Sequence, residues 1–142
     1  MNEAVPELDN LVRIGKLKAE SGTKDEIKGL LVLGQERLAD ARNQTLALSS
    51  RFDLAYNAAH AFSLAALRWH GYRSENRYLV FQSLTHTVKI VPQLWRVLAK
   101  AHEARNLAEY EGHFTANEQL LQDLIQTANA VQLAVENLIT TD

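Results

Sequence analysis

The segment HEARNLAEYEGH, residues 102–113, gathers two histidines, an arginine, an asparagine, a tyrosine and three glutamates into twelve positions. If it continues as a helix to Gly112, then His102, Asn106, Glu109 and His113 fall at i, i+4, i+7 and i+11 and form one stripe. Arg105 lies three residues from His102 and four from Glu109, so an Arg–Glu pair is expected. These residue types suit cleavage or binding of a phosphodiester. Such cleavage needs a base for the ribose 2′-hydroxyl proton, an acid for the leaving oxygen and a cation for the charge of the phosphorane. Arg105 fits the last role, because its planar fork matches phosphate and never deprotonates. Asn106 can orient a phosphate or ribose. The base is His113 if Gly112 bends the chain back to the cluster, or His102 one turn earlier. Tyr110 is a poor base, with an unperturbed pKa of ~10, but it can donate a hydrogen bond or stack on a nucleobase. Arg105, Asn106 and His113 are therefore the candidate catalytic residues, and His102, Glu109 and Tyr110 the candidate substrate contacts. The competing reading is a solvated helix face with an Arg–Glu pair worth less than ~0.5 kcal/mol.

Other chemistries find little support. The chain has no cysteine, which removes disulfides, thiolate metal sites and cysteine nucleophiles. His60, His70 and His86 are isolated, and no His-x-x-x-His or Glu-x-x-His pair exists to build a metal site. The glycines make neither a dinucleotide fingerprint nor a Walker loop. No serine has a nucleophile-elbow context. Neither a metal nor a cofactor is expected. Trp69, Tyr72, Tyr78 and Phe81 read as core or interface residues. The formal net charge of −2 gives no general attraction to nucleic acid or membrane. Its distribution is uneven: Arg73, Arg77, Lys89, Arg96, Lys100 and Arg105 face only Glu75 and Glu103, and no Lys or Arg follows Arg105.

The elements that must position these residues read as helices throughout. The chain has 142 residues, 46% of them hydrophobic and 23% charged, which suits one soluble domain with a core of its own. Leu8, Leu11 and Val12 mark a short first helix. Thr23 with Glu26 reads as a capping box opening a second, in which Gly29 and Gly34 suggest close helix packing. Ser50 with Asp53 is expected to open a third helix. It is apolar on several sides, as in a central helix or one that meets a second subunit. Gly71 ends it. A fourth helix spans about Asn76 to Val88, Pro92 starts a fifth, Gly112 stops it, and Thr115 with Glu118 caps a long last helix. The short connections point to an all-α, up-and-down antiparallel bundle of about five to six helices. The N-terminal MNEAVPELDN has no apolar core of a secretory signal, and no stretch reaches the ~18 apolar residues of a membrane span. Cytoplasmic location is the resulting expectation.

The Ala-rich helix ending in WHGYR, the following FQSLTHTV and, above all, ARNLAEYEG resemble the HEPN family (higher eukaryotes and prokaryotes nucleotide-binding domain). The resemblance covers residues 50–140 as a HEPN-like core, with residues 1–49 as added N-terminal helices of a single domain. It implies a helical bundle that dimerises. In many members an Arg, four to six residues and a His form a metal-independent ribonuclease site at the dimer interface. Arg105 matches that arginine and Asn106 the polar residue after it. At the family spacings for histidine this chain has Tyr110, Glu111 and Gly112, and His113 comes one residue later. The resemblance thus implies an RNA- or nucleotide-binding protein with two forms. One is a ribonuclease of toxin–antitoxin or defence type. For that form an antitoxin is the implied partner. The other is a non-catalytic module, such as the accessory partner of a nucleotidyltransferase.

Overall fold

A computed structural model describes residues 5–140; residues 1–4 and 141–142, which the single-domain reading included, lie outside the described residues. The chain is mostly helical. The order is α1 (Pro6–Arg13), β1 (Lys18–Ala19), α2 (Lys24–Ala41), α3 (Leu48–Trp69), β2 (Tyr72–Arg73), α4 (Arg77–Gln82), α5 (Leu84–Thr87), α6 (Pro92–Glu111) and α7 (Glu118–Thr140).

Helix directions follow from which ends touch. Arg51, near the start of α3, donates from Nε to Ala41 O at the end of α2 (2.8 Å). Arg68, near the end of α3, reaches Glu26 at the start of α2 (2.5 Å). These helices are therefore antiparallel. Arg51 also pairs with Glu118 at the start of α7 (3.4 Å), so α7 runs alongside α3 in the same direction. Arg105 and Asp53 approach to 3.8 Å, and His102 bonds Tyr56, which sets α6 antiparallel to α3. The four long helices alternate up and down, with α4 and α5 bridging α3 to α6.

α3 is the axis of the core. Fourteen of its residues are buried, among them Phe52, Tyr56, Phe62 and Trp69. Its neighbours α2, α4, α6 and α7 belong to the same chain, so its apolar breadth reflects a central helix and calls for no second subunit. A smaller cluster of Leu8, Leu17, Leu67, Tyr72 and Val80 seats α1 and the β pair. That pair, Lys18↔Arg73 and Ala19↔Tyr72 in antiparallel register, departs from the all-helical expectation. Arg68 explains it. This arginine is 1% exposed and donates to the carbonyls of Glu20 (2.6 Å), Tyr72 (3.1 Å) and Ser21 (3.1 Å). One cation thus supplies donors to backbone on both sides of the pair.

Several helix boundaries differ from the sequence reading. Thr23 does cap α2, its Oγ1 accepting from Glu26 N (3.1 Å). α3, however, begins at Leu48 after Ala47, with no side-chain cap, and Asp53 turns to Arg105 instead. α7 is capped by Asn117, whose Oδ1 accepts from Leu120 N (2.8 Å), and Thr115 precedes it in a loop. The expected Asn76–Val88 helix divides at Ser83, whose hydroxyl bonds Val80 O (2.6 Å). Gly34 meets the close-packing expectation, since a Cβ there would lie 2.4 Å from Phe62 Cε1. Gly29 does not: it is exposed and faces open space.

Candidate functional site

α3, α4 and α6 meet around Tyr56. α3 contributes Asp53, Tyr56, Asn57 and His60 at i, i+3, i+4 and i+7, one polar face on a helix otherwise rich in alanine. α4 brings Arg77 and Tyr78 in its first turn, and α6 brings His102, Arg105 and Asn106. Tyr56 is 1% exposed, and burial raises the pKa of its phenol against the opposing pull of Arg77 and Arg105. Its hydroxyl meets His102 Nδ1 at 2.9 Å, while His102 Nε2 meets Asn106 Nδ2 at 3.1 Å. With Asn106 donating to Nε2, the ring proton sits on Nδ1 and is donated to Tyr56 Oη. This network suits a neutral imidazole. Burial, then Arg105, then Arg77 lower the pKa of His102 accordingly. His60, edge-on to Phe81, is pushed down to about 4 by burial and the same two arginines.

Arg105 lies between two extremes. Its Nη1 bonds Glu109 Oε2 at 2.9 Å in the expected i,i+4 pair. Its side chain is 23% exposed and its guanidinium carbon is 5.0 Å from the centre of the Tyr56 ring. Nε is buried without a hydrogen-bond partner, with Asp53 Oδ1 at 3.8 Å. The buried Nε is out of a ligand's reach, whereas Nη2 makes no hydrogen bond among the described residues and belongs to the partly exposed end of the group. Arg77 approaches the same ring to 5.6 Å and bonds Asn57 Oδ1 at 2.9 Å.

A groove of about 430 Å³ runs along α6, lined by Tyr78, His102, Asn106 and Tyr110, with Glu103 and Glu111 beside them. Arg105 does not line it; its guanidinium sits on the α3 side of His102. Tyr78 stacks obliquely on His102 (5.2 Å) and edge-on to Trp95 (5.5 Å), and it is 39% exposed, so it belongs to the site as much as to the core. A larger cleft of about 500 Å³ separates α6 from α7, lined by residues including Arg96, Lys100, Glu103 and Asp123. Its charges are mixed, and its polar contacts are local to α7: Gln119 Nε2 donates to Asp123 Oδ1 (2.9 Å) and Asn117 caps the helix. The convergence of side chains, rather than volume, places the site at Tyr56.

Of the residues read from sequence, His102, Arg105, Asn106 and Glu109 are brought together. Tyr110 lines the groove and is 79% exposed. His113 falls outside the network. Gly112 takes the left-handed conformation (φ 66°) and ends α6, the His113 N–H closes on Leu107 O (3.3 Å), and its imidazole is exposed. Among the described residues its side chain makes no hydrogen bond. Sequence reasoning missed Tyr56, His60 and Arg77. The polar face Asp53–Tyr56–Asn57–His60 was the signal for two of them, the same periodicity that exposed the α6 stripe.

Among the described residues, no three His, Asp or Glu side chains converge as metal ligands, and no helix is long and apolar enough to cross a membrane. No family model, curated protein or solved structure matches the chain.

Proposed function

We propose that this protein binds RNA or a nucleotide through a phosphate at Arg105, in a HEPN-like helical bundle. The observation that carries this reading is the half-paired Arg105 guanidinium, held against Tyr56 beside the His102–Asn106 pair. This guanidinium is held by a ring, by the Glu109 bond and by Asp53 at 3.8 Å, and its Nη2 makes no hydrogen bond among the described residues. It can meet an anion through Nη2 and loses little freedom on binding it. Exposed Tyr78 and Tyr110 on the adjoining groove give flat faces for nucleobases.

In the ribonuclease form, Arg105 stabilises the phosphorane charge and neutral His102 accepts the 2′-hydroxyl proton as the 2′-oxygen attacks phosphorus, with Asn106 moving from the imidazole to the ribose or phosphate. The P–O5′ bond breaks and water protonates the leaving 5′-oxygen. No metal is needed for those roles. His113 takes the base role only if the turn at Gly112 refolds around substrate. The second reading, a non-catalytic binding module such as the accessory partner of a nucleotidyltransferase, is favoured by His102 having both ring nitrogens engaged. A homodimer belongs to the proposal through the family resemblance alone. A light-scattering mass of one 16.0 kDa chain at micromolar concentration removes it.

The test is incubation with labelled RNA in chelator, comparing the wild type with Arg105→Gln, His102→Gln and His113→Gln. Cleavage lost in Arg105→Gln and His102→Gln but kept in His113→Gln supports the enzyme with His102 as base. Intact RNA with a retarded, salt-sensitive complex supports the binding module. RNA neither cleaved nor retarded, together with no calorimetric binding of a nucleoside triphosphate, refutes both.

A further inference from the structure

Arg77 is the charged group around Tyr56 that the reading above leaves unused. Its guanidinium carbon lies 5.6 Å from the ring centre, close to the 5.0 Å of Arg105. Its guanidinium donates to a neutral acceptor, Asn57 Oδ1 (2.9 Å), and among the described residues it forms no ion pair. Arg105 in turn commits Nη1 to Glu109 and has Asp53 Oδ1 3.8 Å from its buried Nε, which leaves Nη2 without a hydrogen bond among the described residues. Two guanidiniums on one buried ring repel each other, and each is attracted to the ring's π-electrons. An anion lying against both relieves that repulsion. One phosphate can be gripped by a single arginine fork. A second arginine without a carboxylate gains most from a second anionic group next to the first.

We propose that Arg77 and Arg105 form a two-point clamp, centred on Tyr56, that takes its ligand through two neighbouring phosphate groups. The proposal rests on the anion-binding reading of Arg105 and adds the number of phosphates and the second cation. Asn57 and Glu109 set the angles of the two forks. Two sources carry this chemistry: the phosphoanhydride of a nucleotide and consecutive phosphodiesters of an RNA strand. His60 and His102 report occupancy, because both guanidiniums help to keep them neutral. Anions at the clamp screen that field and raise both imidazole pKa values.

The experiment is calorimetric titration of the intact chain with orthophosphate, pyrophosphate and the 5′-phosphorylated diribonucleotide pUpU, with imidazole NMR of His60 and His102 in parallel. At least one two-phosphate ligand should bind about tenfold or more tighter than orthophosphate, and both histidines should titrate at higher pH when it is bound. Arg77→Gln should weaken the two-phosphate ligands more than orthophosphate and so abolish that preference, while Arg77→Lys should keep part of it. Preference for pyrophosphate identifies the anhydride, and preference for pUpU the RNA backbone. Equal affinity for all three ligands, or a preference that survives Arg77→Gln, overturns the clamp. If orthophosphate binding still depends on Arg105 in that outcome, the anion-binding site stands without the clamp. If no anion binds the wild type, both ideas fall. Thermal melts of each variant separate a lost clamp from a lost fold.

Discussion

Replacing Gly34 by alanine puts a methyl carbon 2.4 Å from Phe62 Cε1 and 2.7 Å from Cδ1 and Cζ. Phe62 is fully buried on the central helix, so the ring cannot swing into solvent, and α2 must move away from α3. Overpacking of this kind costs roughly 1–3 kcal/mol. Three ring atoms under 3.0 Å put that cost in the upper part of the range, about 2–3 kcal/mol. The same substitution gains about 0.8–1 kcal/mol of helix propensity, so a net loss of about 1–2 kcal/mol is expected. Gly29, five residues earlier on the same helix, supplies the control. It is exposed, and nothing lies within 4 Å of its would-be Cβ, so Gly29→Ala should gain roughly 0.5–1 kcal/mol. Urea unfolding of both variants at neutral pH measures the two shifts, with m-values checked for constancy. Gly34→Ala as stable as the wild type, or both variants shifting in the same direction, would refute the packing of α2 on α3 described above.

Two further outcomes follow from buried polar groups. His60 has a folded pKa of about 4, below its ordinary value of 6.5. Between those values the unfolded chain binds more protons than the folded one, so stability is full above the unfolded pKa and falls as the pH drops towards the folded one. Urea unfolding at pH 7 and pH 5 should differ by about 2 kcal/mol from this group, and His60→Leu should flatten that slope; an unchanged slope contradicts its burial beside Arg77 and Arg105. Arg68→Met removes the donor shared by Glu20 O, Ser21 O, Tyr72 O and Glu26. It should destabilise the fold by roughly 3 kcal/mol or more and expose the β1–β2 amides to fast hydrogen exchange, and normal protection there would refute the role given to Arg68.

The helical architecture was legible because apolar residues recur at helical spacing and because Pro92 and Gly112 mark the ends of α6. Cap assignments were less secure. Thr115–Glu118 has the form of a capping box, yet Asn117 holds the orphan N–H, since several short polar side chains near a helix start compete for one donor. The β pair was illegible because its two strands have two residues each, and what holds them is an arginine on α3. The α6 half of the site could be read from a local stripe, Arg105–Glu109 and His102–Asn106 being neighbours in sequence. The half supplied by α3 and α4 is a long-range contact. Tyr56 and His102 are 46 residues apart, and only the packing of α6 against α3 shows that an interior tyrosine serves the surface stripe. The sequence left the course of the chain after Gly112 open, and the left-handed turn there carries His113 away from the His102–Arg105 network.

The most direct test of the account is fluorescence anisotropy of a labelled single-stranded oligoribonucleotide titrated with wild type and Arg105→Gln across a range of salt. The account predicts saturable binding by the wild type that weakens as salt rises. It predicts about tenfold or greater loss in Arg105→Gln with a shallower salt slope and an unchanged melting curve. Absence of binding by the wild type, or equal affinity and equal salt slope in the variant, would contradict it.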